Sequence, residues 1–149
     1  ENGKPIAHTQ FDTIAIPTAE ARDALLLTLN SKLQFAFWIA VGDDFHVTRW
    51  VFGDLPVDVT KLIDADSRRV SALAEELDAA MKEAVSFKVN AGKRVGNYNL
   101  ARCRQVTDRS DRILARVFGF DDVWEDIELL YTQCVRTDFS DVSDEGDDE

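Results

Sequence analysis

The segment that most constrains this chain runs from Leu33 to Val41, where every residue but Gln34 is apolar or aromatic. It is about half of the roughly 20 residues that a membrane-spanning helix requires. Its aromatic surface must therefore be covered by other parts of a folded protein. Upstream, Leu25, Leu26, Leu29, Leu33, Phe37 and Ala40 recur at helical spacing. Thr18 is placed to cap that helix, Gly42 to stop it, and Asn30-Ser31 to bend or break it midway. Phe35, Phe37 and Trp38 cover much of the helix surface and are expected to serve as core and interface.

With 149 residues and 45% apolar content, the chain has material for one domain with a core plus a tail. Residues 1–10 read as a linker, 11–137 as the domain, and 138–149 as a disordered tail carrying seven acids and no base. Phe11 to Ile16 alternates as a short strand closed by Pro17, and His46 to Val59 suits short extended pieces. A second helix is predicted from Asp64 or Asp66, through Val70, Leu73, Leu77, Met81 and Ala84, to about Phe87, with Asn90-Ala91-Gly92 ending it. Lys93 to Asn99 has the composition of a structured loop. Asp108, with Asp111 three places later, is placed to cap a third helix whose apolar side is Val106, Ser110, Ile113, Leu114 and Val117 before Gly119. A fourth begins at Asp121 or Asp122, with Val123, Trp124, Ile127, Leu130 and Cys134 as its inner face. The predicted fold is α+β: a helix-rich single domain of about four helices with a small strand component.

A net charge of -11 would ordinarily argue against nucleic acid, but the charge is uneven. Lys88 to Arg116 holds eight basic residues against Asp108 and Asp111, a local balance of +6. Cys103 and Cys134 lack CxxC spacing and a neighbouring His, which predicts buried, reduced thiols rather than zinc ligands or a disulfide framework. Nothing at the N-terminus has the order of a secretion signal, so a soluble, cytoplasmic protein with no membrane partner is expected. The only methionine is Met81, which suggests a fragment or an excised domain.

No catalytic constellation is present. His8 and His46 lack a Ser/Asp or Cys arrangement, and Asp43, Asp44 and His46 suit a polar turn better than a metal site. Lys93 to Asn99 is the best candidate for nucleic-acid contact, although by composition alone basic loops are usually solvated surface. Lys93 and Arg94 can neutralise phosphates, Asn97 and Asn99 can read adenine, and Tyr98 can stack or bond a phosphate. Arg102 and Arg104 extend the basic run. A solvated surface loop has the same composition. His46, Thr48 and Trp50 would share one side of an extended segment, and Val47 and Arg49 the other. His46, Thr48 and Arg49 join the candidate DNA contacts, although His46 suits a purely structural turn equally well. Arg109, Arg112 and Arg116 share a helical face, where they either follow a phosphate backbone or pair with Asp108 and Asp111.

Two blocks carry a family likeness. The first comprises Asn30-Ser31-Lys32-Leu33, the aromatic stretch Phe35 to Trp38, Gly42 to Thr48, and the Leu55-Pro56-Val57 exit; the second is Gly92 to Leu100. Together they resemble the C-terminal target-recognition region of adenine-specific (N6) DNA methyltransferases from restriction-modification and phage-defence systems, over roughly Phe11 to Phe139. Asp44 departs from the likeness, since Gly commonly stands there. The resemblance implies a specificity segment that positions duplex DNA for a catalytic domain elsewhere in the parent. That domain would use S-adenosylmethionine and an Asn/Asp-Pro-Pro-aromatic motif. This chain has only the isolated Pro5, Pro17 and Pro56, so neither cofactor binding nor methyl transfer is expected of it alone. The alternatives are a helical docking module for restriction or defence subunits and, less well supported by the residues, a small hydrolase.

Overall fold

The computed structural model describes residues 14–42, 49–90 and 92–135. They form six α-helices and one β-hairpin: α1 (Ala19–Leu29), α2 (Lys32–Val41), α3 (Arg49–Gly53), α4 (Thr60–Glu83), β1 (Val85–Asn90), β2 (Lys93–Tyr98), α5 (Arg104–Phe118) and α6 (Trp124–Cys134). A 3-10 turn at Leu100–Cys103 leads into α5, and another at Asp121–Val123 leads into α6. The helix-rich α+β reading holds, with more helices than the sequence pattern resolves. The linker, the first part of the Phe11–Ile16 strand, and the acidic tail lie outside the described residues. Ile14 to Ile16 are irregular rather than strand.

The long aromatic helix is two helices bent by 62° at Asn30-Ser31. Both residues have the chemistry to cause the break. The Asn30 side-chain amide donates to the Leu26 carbonyl at 2.8 Å and closes α1. The Ser31 hydroxyl donates to the Thr28 carbonyl at 2.6 Å and accepts from the Gln34 N–H at 3.1 Å, so it ends one helix and caps the next. Thr18 caps α1 as its position predicts, accepting from the Ala21 N–H at 3.1 Å.

α4 starts earlier and ends earlier than the sequence pattern suggests. Asp58 accepts from the Thr60 N–H at 3.0 Å and from its hydroxyl at 2.6 Å, which sets the start. Asp66 then interrupts α4 in an extended conformation (φ -167°, ψ 81°) and accepts from the Arg69 N–H at 3.1 Å. It is an N-cap, but of the second half of a kinked helix. The helix stops at Glu83, because Val85, Phe87 and Val89 alternate with Ser86, Lys88 and Asn90 in the two-residue period of a strand. Lys93–Tyr98 pairs antiparallel with it and is a strand, not a loop. Gly92, at φ 74°, supplies the left-handed residue that so tight a reversal needs. The sequence window 49–53 is helical, so the extended alternation expected for Arg49 and Trp50 does not occur.

Two cores hold the helices. The larger joins Ala24 and Leu27 of α1, Leu62, Val70, Leu73 and Leu77 of α4, Cys103 just before α5, and Val106 and Leu114 within it. The smaller gathers Leu33, Leu55, Ala115 and Trp124, with Phe37 and Ile127 packed against them. α2 therefore lies on α6, while α1 and α5 lie on α4. Gly119 ends α5 in the left-handed conformation at φ 78°, as its position predicts. The inner face of α6 is narrower than expected. Trp124 is buried, whereas Val123 and Cys134 are exposed, which corrects the expectation of two buried thiols.

No helix among the described residues is long and apolar enough to cross a membrane. The bent pair α1 and α2 has the length and composition, yet it buries Asp23, Thr28, Lys32 and Gln34 within the fold.

Candidate functional site

Two places in the fold concentrate chemistry: the hairpin with its following turn, and a cleft at the start of α2.

The hairpin register divides the sequence-predicted contacts into two sets. Val85 pairs with Tyr98, Phe87 with Gly96 and Val89 with Arg94, so one face carries Val85, Phe87, Val89, Arg94 and Tyr98. Lys93 and Asn97 occupy the alternate register positions, together with Ser86, Lys88 and Asn90. On the first face, Phe87 is 55% exposed, Val89 77% and Tyr98 59%. Gly96 leaves room for the Phe87 ring, since a Cβ there would come within 3.2 Å of it. The Arg94 guanidinium sits 4.1 Å from the Phe87 ring centroid, a cation–π contact that holds a positive charge over an exposed aromatic. The base of the hairpin is tied to the bundle by the Asn99 N–H, which donates to the Ala84 carbonyl at 3.3 Å.

Beyond the hairpin, the Asn99 side chain accepts from the Ala101 N–H at 3.1 Å and caps the 3-10 turn, so the structure gives this residue a local task. Arg102 is exposed on that turn, and Arg104 is half-buried at the first position of α5. From Ala84 to Thr107 the chain contains five basic residues and no acid. Arg49 lies in α3, while His46 and Thr48 lie outside the described residues, as do Asp43 and Asp44. Further along α5 the basic face is partly used internally, because the Arg109 guanidinium pairs with Glu76 of α4.

The cleft, of about 390 Å³, opens between the α1–α2 bend, α5 and α6. Its walls are apolar and aromatic: Leu29, Phe35, Trp38, Phe52, Leu100 and Tyr131. Phe35 meets Tyr131 edge-on at 5.1 Å and Trp38 at 6.0 Å. At its floor lies Lys32, only 6% exposed. The ammonium donates to Asp108 at 2.7 Å and to Glu128 at 3.3 Å, and lies 3.3 Å from Asp111 Oδ2. Asp111 is fully buried, and its Oδ1 accepts from the Lys32 backbone N–H at 3.3 Å, placing negative charge at the positive end of α2. Asp108 and Asp111 therefore serve the α2 terminus instead of capping α5 or pairing with its arginines.

Three carboxylates around one ammonium leave a local excess of negative charge, and burial decides how it is shared. Burial alone would lower the Lys32 pKa, but the hydrogen bond to Asp108 and the charge of Asp111 outweigh it and hold Lys32 above its ordinary value. For Asp111 burial wins: its carboxyl is raised to about 6 despite the opposing pull of Lys32. The two residues are not symmetric, because Lys32 has three acids and Asp111 a single cation.

The sequence reading gave Lys32, Gln34, Asp108, Asp111, Glu128 and Tyr131 no part in a site. One signal was available. Lys32 is the only charge in a helix that is apolar apart from Gln34, and a lone ammonium at the head of such a segment requires carboxylate partners. No protein family, curated protein or solved structure matches the chain.

Proposed function

We propose that this chain is a DNA-contacting segment that grips duplex DNA through the β1–β2 hairpin and the turn after it. The observation that carries this reading is the 24-residue stretch from Ala84 to Thr107, which has five basic residues and no acid within a chain of net charge -11. A solvated surface of this chain would be acidic, so such a run is an electrostatic footprint for a polyanion. The hairpin's shape agrees. Six residues per strand span roughly 20 Å, and a two-stranded ribbon fits the major groove. Arg94, fixed over Phe87, would meet phosphates or base edges, Tyr98 would stack or bond a phosphate, and Arg102 would extend the contact along the backbone. The likeness of Asn30 to Val57 and Gly92 to Leu100 narrows the proposal to the specificity segment of a cytoplasmic, S-adenosylmethionine-dependent adenine N6-methyltransferase. Methyl transfer would belong to a catalytic domain that takes the adenine out of the stack.

Fluorescence anisotropy with a labelled duplex tests the proposal. Arg94→Ala with Tyr98→Ala should weaken binding at least ten-fold at 50 mM salt. Lys82→Ala, which removes a surface cation paired with Asp78 outside the stretch, should leave binding unchanged. Equal affinities for the two variants would refute DNA contact by the hairpin. A docking module is the second reading, supported by the exposed Phe87, Val89 and Tyr98. It predicts instead that the hairpin variant weakens subunit assembly while DNA affinity stays unchanged.

A further inference from the structure

The cleft at the head of α2 is walled by apolar side chains, and the donors at its floor are already engaged. The Asn30 amide serves the Leu26 carbonyl, the Ser31 hydroxyl serves Thr28, and the Lys32 ammonium serves Asp108 and Glu128. What remains to be covered is the aromatic wall of Phe35, Trp38, Phe52 and Tyr131, with Leu100 beside it. Such a cleft takes an apolar group through burial rather than through hydrogen bonds. At about 390 Å³ it lies at the small end of the usual range for small-molecule sites and is ample for an aromatic side chain.

The chain carries such a group close by. Val135, the last described residue, lines the cleft and leaves α6 in an extended conformation (φ -103°, ψ 113°). Fourteen residues follow it, of which only Phe139 and Val142 are apolar. Phe139 stands four residues beyond Val135, an extended reach of about 14 Å. Asp138 and Asp141 flank it, and five of the six residues from Asp144 to Glu149 are acids. Leu100 and Arg104, which also line the cleft, belong to the acid-free stretch. Neither Arg102 nor Arg104 pairs with a carboxylate among the described residues. One segment therefore offers an aromatic residue and then acids, beside an apolar cleft that adjoins unpaired arginines. From this match we infer that residues 136–149 dock on their own chain. Phe139 packs against Phe35, Trp38 and Tyr131, bringing no charge to the acidic floor, while the acids after it follow Arg104 and Arg102 toward Arg94. The segment competes there with any polyanion. The seating of Phe139 stands on the cleft alone, whereas competition with DNA rests on the hairpin reading.

The test is nuclear magnetic resonance of the full chain beside Phe139→Ser and Leu100→Glu, the latter placing a carboxylate at an exposed position of the cleft rim. In the parent protein the Phe139 ring should give nuclear Overhauser contacts to Trp38 and Tyr131. Phe139→Ser should shift the amides of Phe35, Trp38, Leu100 and Tyr131, and Leu100→Glu should abolish the Phe139 contacts while the spectrum stays dispersed. No contacts in the parent, or cleft amides unmoved by Phe139→Ser, would overturn the inference. Contacts that fade on dilution would assign the cleft to the segment of a second copy and overturn it equally. Fluorescence anisotropy reads the competition. Phe139→Ser keeps every charge, so release of the segment should tighten duplex binding at least three-fold at 50 mM salt; Phe139 contacts without that gain would overturn the masking of the hairpin. Should Arg94→Ala leave duplex binding intact, the hairpin reading fails by itself, and the Phe139 contacts still decide the seating.

Discussion

Replacing Lys32 with Met removes the ammonium at the floor of the cleft and leaves Asp111 buried beside Asp108 and Glu128, which lose the cation they share. Breaking a buried ion pair from one side commonly costs about 3–5 kcal/mol, but here protonation of Asp111 caps the cost. A carboxyl raised from 3.8 to about 6 already opposes folding at neutral pH, by about 3 kcal/mol at about 1.4 kcal/mol per unit. The sign follows from linkage. Because the folded-state value is raised, the stability tied to this proton is fully present below about pH 4 and lost as pH rises through about 6. Without Lys32 the carboxyl rises further, so in the variant the loss continues above pH 6 where the parent protein levels off. Lys32→Met should therefore cost about 1 kcal/mol or less at pH 5, about 2 at pH 7 and about 3 at pH 8. Lys32→Met combined with Asp111→Asn should remove this pH dependence. Urea denaturation of the three proteins, followed by circular dichroism, measures these differences, and carboxylates elsewhere cancel in the comparison. A penalty that is the same at pH 5 and pH 8, or that the second substitution does not flatten, would refute the reasoning.

Local backbone chemistry gives two further tests. Ser31→Ala removes both the hydroxyl that closes α1 and the acceptor that opens α2, and should lower stability by about 1–2 kcal/mol in urea denaturation; a change near zero would mean that the bend is held by packing alone. Gly119→Ala meets no atom within 4 Å of the new Cβ, so its expected loss of about 1 kcal/mol comes from the left-handed backbone alone, and Gly119→Asn should recover part of it.

Features that depend on near neighbours in the chain were legible in the sequence. Thr18, Asn30-Ser31 and Gly119 mark helix ends through hydrogen bonds within four residues, and the apolar spacing of Val70, Leu73 and Leu77 predicts the buried side of α4. The hairpin is hidden in the sequence because Met81 and Ala84 prolong a helical spacing into Val85–Asn90, where the period changes from 3.6 to 2. Lys93 to Tyr98 reads as a loop by composition, since Gly96 and Asn97 inside it and Gly92 and Asn99 beside it weaken strand propensity; pairing with β1 overrides it. Lys32 alone hints at the ion cluster; its partners are not legible in the sequence. Lys32 and Asp111 are 79 residues apart, and only the packing of α2 against α5 and α6 turns Asp108, Asp111 and Glu128 from ordinary surface acids into the neighbours of one buried ammonium.

The most direct measurement of the proposed function is an amide chemical-shift map of the chain titrated with a duplex DNA at two salt concentrations. Shifts concentrated between Val85 and Arg104, with log affinity falling by roughly 0.9 per log salt for each phosphate neutralised, are the predicted result. Shifts confined to the helices outside that stretch, or no salt-dependent binding, would contradict it.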